Sequence, residues 1–325
     1  MTLKQHFLIK ATPALAILIS FSSATMANSV NNPGFESNPV EWKAETWIMN
    51  SQAVRFQRDL TRCHSGNASF EITNLQDNDS WIVQAIPVQA ESIYEISGWV
   101  RTRDVYGVQG LNRENIGACL CIKDSWTRSD DLKGTKNWTQ LKFYVKTRQG
   151  QTTLPVACRL GYWSNTVKGT AWFDDIRVQE LKELPESSHC DDLGNPVQNA
   201  GFEHHSDHYY DFWSEEAWVM KSDAVQFDFD SQEKHRGRSS ARINNSAFND
   251  SRWKQEIQVE PNRVYRVSGW IKTKDVDGTK NKDNQNNIGA NLCLAETWIH
   301  SPDLKGTNPW TRVEFFVRAG AHQRR

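Results

Sequence analysis

Neither sign of charge dominates this chain. Thirty-eight lysine and arginine side chains stand against 39 aspartates and glutamates, for a formal net charge of −1 over 325 residues. Nucleic-acid binding draws on a positive excess that neutralises phosphates, so that class is excluded. After the first few tens of residues no run approaches the roughly 18 consecutive apolar residues of a membrane span, so no membrane partner is expected. The six cysteines include no C-x-x-C pair, which leaves zinc and thioredoxin-type readings without support. H-E-x-x-H, G-x-S-x-G and the phosphate-binding loop are missing too. No segment carries a 3.6-residue apolar period over helical length, so helices are not expected.

What is present begins with an address. Lys4 and Lys10 precede the short apolar run Ala11 to Phe21, and small residues follow to Ala27. A basic start, an apolar core and a small-residue end read as a secretory signal peptide over 1–27. The run is too short and broken for a membrane span. The mature protein is therefore expected to be secreted, periplasmic or extracellular, where cysteines meet an oxidising medium.

The rest of the chain repeats itself. NPGFE (32–36) returns as NAGFE (199–203), and ETWIM (45–49) as EAWVM (216–220). HSGNASFEITN (64–74) returns as HRGRSSARINN, IYEISGWVRTRDV (93–105) as VYRVSGWIKTKDV, and DLKGTKNWTQLKFYV (131–145) as DLKGTNPWTRVEFFV. A constant order at a near-constant offset is a tandem duplication. The expected domains are 28–182, a breaker-rich linker at 183–197, and 198–325. The first copy continues through LPVACRLGYW and GTAWFDDIRV, whose counterparts do not occur before Arg325, so a longer parent protein is expected.

Short apolar runs with period-2 alternation dominate each copy, bounded by Gly, Asn, Asp or Pro. Strands at this spacing predict an all-β, antiparallel two-sheet sandwich in each copy. Within YEISGWVRT, Tyr94, Ile96, Gly98 and Val100 share one face, and Glu95, Ser97, Trp99 and Arg101 the other.

The ordered set of NPGFE, HSG-x-x-S, Y-x-I-S-G-W-V-R-T, NWTQLKFYV and GTAWFDDIRV resembles the galactose-binding-like β-jelly rolls. It is nearest to carbohydrate-binding modules of the family 4, 9 and 22 type. The resemblance covers the first copy and the second up to its end. It implies a noncatalytic, monomeric module that holds a polysaccharide or oligosaccharide and accompanies a glycan-active enzyme. It also implies one structural Ca²⁺ in each complete domain. Glu36, Asp174 and backbone carbonyls around His64 match that site, and Glu203 matches Glu36 in the second copy. Oxygen-only ligation of this kind suits calcium. Asp174 shares parity with Ile176 and Val178, so it is expected to point inward, where a carboxylate needs a partner.

Fourteen tryptophans must be divided between packing and binding. An indole stacks on the C–H face of a sugar while polar groups meet its hydroxyls. Trp138, Trp310 and Trp172 read as packing, and Trp99 and Trp270 as open between the two. Trp47, Trp81, Trp126, Trp163, Trp218 and Trp298, with polar or loop-like surroundings, are the sugar-binding candidates. Trp81 has Arg252 as its counterpart, so the copies are expected to differ in preference.

Glycosidases need two carboxylates across a cleft, and adjacent acidic residues on a strand point to opposite faces. An enzyme on a jelly-roll scaffold and a ligand-free spacer are the competing readings. The group His204, His205 and His208 has no match in the first copy, and His64 and His235 precede tight turns, where a structural role is expected. A Cys121–Cys158 disulfide is one arrangement both copies would share; a buried free thiol is the other.

Overall fold

The computed structural model describes residues 29–107, 116–162, 165–186, 188–204, 212–278, 288–321 and 323. The expected signal peptide, Trp163, His205 and His208 lie outside these residues.

The first repeat is two packed sheets. One is four-stranded, in the order β1 (Lys43–Thr46), β4 (Ser80–Pro87), β8 (Thr153–Leu160), β6 (Ala118–Ile122). The other runs β10 (Asp191–Asp192), β7 (Gly134–Lys146), β5 (Ile93–Gly107), β9 (Val167–Leu181), β3 (Ser69–Asn78), β2 (Val54–Asp59). Every pairing is antiparallel except β10 on β7, where the expected linker adds a short parallel edge. Alternation along the strands decides what lies between the sheets. Ile82, Ile86, Leu120, Leu154 and Leu160 come from the smaller sheet, Ile72, Ile96, Val100 and Phe173 from the larger, and all are fully buried. Each such side chain contributes about 1.5–3 kcal/mol of burial. This is the expected β-sandwich, and β5 divides into the two expected faces.

The second repeat copies the first strand by strand, in pieces. Here β11 (Ser214–Ala217) pairs β14 (Ser251–Lys254) as β1 pairs β4. β12 (Val225–Asp230) pairs β13 (Ser240–Asn245) as β2 pairs β3, and β15 (Val264–Val276) pairs β16 (Gly306–Arg318) as β5 pairs β7. The bridges Ala290–Leu304 and Cys293–His300 repeat Ala118–Leu132 and Cys121–Arg128. Among the described residues no strand corresponds to β8 or β9. In the first repeat β8 lies between β4 and β6, and β9 between β5 and β3. Without those two central strands each sheet falls into separate ribbons.

Register corrects two expectations. β6 and β8 align Leu120 with Cys158 and Cys121 with Ala157. Directly opposed residues share a face, so Cys158 points to the core and Cys121 away from it. The Cys121–Cys158 disulfide is therefore not formed; all six cysteines are free thiols. The parity of Asp174 also fails. Trp99 aligns with Asp174 but Ser97 with Arg177, so β9 carries an extra residue there, with Asp175 at φ 50°. The bulge turns Asp174 to the side of Trp99, away from Ile176 and Val178.

Candidate functional site

The face of the four-stranded sheet turned away from the core is built from alternate residues. Register places Glu45, Trp81, Arg159 and Cys119 in one row across β1, β4, β8 and β6. The next row holds Lys43, Val83, Ala157 and Cys121. Trp81 Nε1 donates to Glu45 Oε2 at 3.2 Å, and Lys123 Nζ meets the same carboxylate oxygen at 2.6 Å. The Arg159 guanidinium lies 4.5 Å from the ring centre of Trp81 and 4.4 Å from that of Tyr162. Arg128 covers Tyr162 at 4.7 Å, and Trp126 lies 5.6 Å from Tyr162, centre to centre. Trp126 is half-buried, with Phe212 edge-on at 5.0 Å. Arg159, Tyr162 and Arg128, all buried, thus pack between the partly exposed rings of Trp81 and Trp126.

Their charges are fixed. Arg159 donates to both carboxylate oxygens of Asp79, from Nε at 2.8 Å and from Nη2 at 2.5 Å. Burial alone would lower the Arg159 pKa, but the bond to Asp79 and neighbouring charges raise it. Arg128 is paired with Asp131, and the Tyr162 hydroxyl donates to the Ser125 carbonyl. Burial pushes the Tyr162 pKa well up, so it stays a neutral donor.

The other tryptophan candidates are dispersed. Trp47 follows β1 and is 60% exposed, while Trp218 and Trp298 are 87% and 81% exposed. In the second repeat Arg252 takes the place of Trp81 and pairs with Glu216 at 2.7 Å. Asn291 stands where Cys119 does and donates to Asp303 at 2.8 Å. Trp298 lacks the neighbour that Tyr162 is to Trp126 among the described residues.

The expected ion-binding residues converge on the turn after β2. The Asp174 Oδ2 accepts from His64 N at 2.7 Å and Ser65 N at 3.2 Å, and both Glu36 oxygens accept from Asn67 N. Backbone N–H groups of the turn, rather than the expected carbonyls around His64, face these carboxylates. A Cβ built on Gly34 would lie 3.4 Å from Asp174 Oδ1, 3.6 Å from Glu36 Oε1 and 3.7 Å from Asp175 Oδ1. Burial, and less strongly the Asp175 charge, push Asp174 up to about 6 against the hydrogen bonds it accepts. Among the described residues no three His, Cys, Asp or Glu side chains form a metal-holding group by themselves. All three oxygens already accept hydrogen bonds, Asp174 Oδ1 from Asp175 N, Glu36 Oε1 from Asn67 N and Asp175 Oδ1 from the Ser65 hydroxyl. Glu203 reproduces the position of Glu36: each carboxylate stands where a side chain on Gly237 or Gly66 would have to be.

The sequence led us to expect a structural role for His64 but named no partner for it. Its ring stacks on Trp99 at 3.8 Å and 12°, with Trp138 edge-on at 6.0 Å, and Nδ1 lies 2.6 Å from Asp175 Oδ2. His235 repeats this against Trp270 at 3.9 Å and Trp310 at 6.0 Å. Trp138 and Trp310 are accordingly half-buried partners of a histidine, not sandwich core. Arg159 and Asp79 were missed. The available signal was an arginine within the apolar run PVACRLGYW, since a buried charge requires a partner.

No protein-family model matches the chain, and no curated protein matches it. Among solved structures it is similar to a structure titled for the structure and function of a family 4 carbohydrate-binding module. The identity is 18% over 47% of this chain and 100% of that one, with a TM-score of 0.34. The tandem family 22 module pair of Paenibacillus barcinonensis Xyn10C is 15% identical over 89% of this chain and 83% of its own, with a TM-score of 0.30. The enzymatically active domain of bacteriophage CBA120 tailspike protein 4 is 11% identical over 47% of this chain, at a TM-score of 0.35, and the chain spans only 21% of its length. The fold rests on the strand order above, and function is argued below from the residues.

Proposed function

We propose that the chain binds carbohydrate without transforming it, through the outer face of the four-stranded sheet of the first repeat. The observation that carries this reading is the row Glu45–Trp81–Arg159, flanked by Trp126 and Lys123. Trp81 and Trp126 offer partly exposed ring surface for the C–H face of a sugar. Glu45 and Lys123 offer an acceptor and a donor for its hydroxyls. Apolar platforms with a few fixed polar groups are how such ligands are held. The exposed Trp47, Trp218 and Trp298 are further contact points for an extended polysaccharide, and two repeats on one chain add avidity. The second repeat, with Arg252 in place of Trp81, takes a different glycan from the first.

In this reading the protein is exported and monomeric, and it places an attached or partner glycan-active enzyme on its substrate. A calcium ion is held by Glu36, Asp174 and Asp175 with nearby carbonyls. It ties the start of the repeat to β9 through a cluster of carboxylates.

The test is retention on insoluble polysaccharides and affinity electrophoresis in soluble ones. Binding to at least one glycan is expected, weakened about tenfold by Trp81→Ala, in line with the loss of one stacked ring. Absence of binding across a broad glycan set would sink the proposal. Release of reducing ends by the chain alone would favour the enzyme reading instead.

A further inference from the structure

The two outer faces of the first repeat differ in how their cations are matched. On the four-stranded sheet Arg159 pairs with Asp79, Arg128 with Asp131 and Lys123 with Glu45. On the six-stranded sheet, register sets Gln57, Glu71, Trp172 and Arg101 in one outward row, and Arg55, Thr73, Thr170 and Arg103 in the next. Lys142 and Arg177 flank Ser97 further along β5. The ion pairs on this face are Arg62 with Asp59, His64 with Asp175 and Lys146 with Asp192. Among the described residues Arg55, Arg101, Arg103, Lys142 and Arg177 take part in none. The carboxylates beside Trp172 are committed elsewhere. Glu71 accepts from Gln57 at 3.0 Å and Thr73 at 2.9 Å, and Asp59 accepts from Trp172 Nε1 at 2.9 Å as well as from Arg62. Glu95 is set apart, in the row beyond Ser97.

The unmatched arginines are held, not loose. The Arg103 guanidinium lies 5.1 Å from the ring centre of Trp172, and that of Arg62 lies 5.4 Å from it. Trp172 is buried while Arg103 is exposed, so the guanidinium lies on the solvent side of the indole. A guanidinium resting on a ring keeps its in-plane N–H groups free for a further partner. Arg101, two residues before on the same strand and so about 7 Å away, donates from Nη1 to Asn137 Oδ1 at 3.2 Å. Asn137 adjoins Trp138. Trp138 and Trp99 are half-buried, with part of each ring open to solvent, and Trp99 is fixed by its stack on His64. Gln140, exposed, lies directly opposite Trp99. Two rings, an amide and two forked cations thus adjoin on one face.

We propose that this face is a second carbohydrate site, on the sheet opposite to Trp81, and that it takes a uronic-acid polysaccharide. A uronate carboxylate matches the planar fork of Arg101 or Arg103 with two parallel hydrogen bonds. The C–H face of the same sugar meets Trp138 or Trp99, and Gln140 meets its hydroxyls. Arg55, Lys142 and Arg177 extend the positive field to either side, which favours capture of a polyanion. The near-zero net charge of the whole chain does not oppose this, because the unmatched cations are gathered on one face. In the second repeat Lys272 and Lys274 stand in place of the two arginines, and Lys272 is paired with Glu233. Lysine is a point charge without a fork, so the site belongs to the first repeat. The inference does not depend on sugar binding at Trp81.

The test is affinity electrophoresis of the full chain in gels that hold polygalacturonate, alginate or glucuronoxylan. Retardation by at least one is expected, and it should weaken as salt rises. Arg101→Ala combined with Arg103→Ala is expected to weaken binding about tenfold, in line with the loss of charge-assisted hydrogen bonds. Reducing the carboxyl groups of the same polysaccharide to alcohols is expected to abolish it. That arm leaves the protein untouched, so it does not depend on how the variant folds. Absence of retardation by all three, or an unchanged response of the double variant or of the reduced polysaccharide, would overturn the proposal. So would equal retardation by polyacrylate, which offers carboxylates without a sugar. Binding to a neutral glycan alone would sink this inference and leave the reading of the Trp81 face standing.

Discussion

Arg159 and Asp79 form a two-pronged ion pair beneath the candidate sugar face, with Arg159 5% and Asp79 2% exposed. The pair joins β8 to the start of β4 and fixes the plane on which Trp81 lies. Removing one member leaves the other charged and buried. Asp79→Ala should therefore cost about 3–5 kcal/mol in a urea titration. The double variant Asp79→Leu with Arg159→Met should recover most of that loss while still abolishing glycan binding, because the guanidinium between Trp81 and Tyr162 is gone.

Asp59 gives the first repeat an acid limit. Burial acts to raise its pKa, but hydrogen bonds from Thr61, Trp172 and Arg62 outweigh it and hold it at about 2, below the ordinary 3.8. A depressed folded pKa means stability that is fully present above about pH 4 and is lost as pH falls towards 2. The urea midpoint should drop across that window. Asp59→Asn should lower the plateau and flatten the drop.

Calcium should raise the melting temperature of the chain, and a chelator should reverse the rise. At a hundredfold excess over Kd the gain is about 2.7 kcal/mol, or about 5–10 °C for a domain of this size. Asp174→Asn should remove the calcium-dependent part. A melting curve indifferent to calcium would count against the proposed ion.

The thiols should divide by burial. Cys119, Cys121 and Cys158 are sealed in the first repeat and should resist alkylation until the chain unfolds, whereas Cys293 should label in the native state. Peptide mapping should find no Cys121–Cys158 crosslink.

The duplication, the all-β class and the strand runs were legible because period-2 alternation and turn residues are local signals. The order of strands was not. Nothing local in TLPVACRL or VKGTAWFDDIRVQEL says that these late segments lie in the middle of the two sheets. Bulges were equally invisible: one extra residue at Asp174 reversed the face inferred from parity. The tryptophans show the same limit. Trp47, Trp218 and Trp298 announced exposure through polar neighbours, but Trp99 and Trp138 depend on His64, which is distant in sequence from both. Arg159 was legible as an anomaly and Asp79 as its partner only in space.

The central placement of β8 and β9 also bears on synthesis. In the first repeat the ribosome delivers β1 to β7 before either strand that stitches them together. At about 5–20 residues per second, the interval between finishing β7 and finishing β9 is about 2–7 seconds. Throughout it neither the β4–β8–β6 nor the β5–β9–β3 run of pairings can form. That interval is when a chaperone has most to protect, and a slow stretch of translation between Lys146 and Leu181 would prolong the hazard.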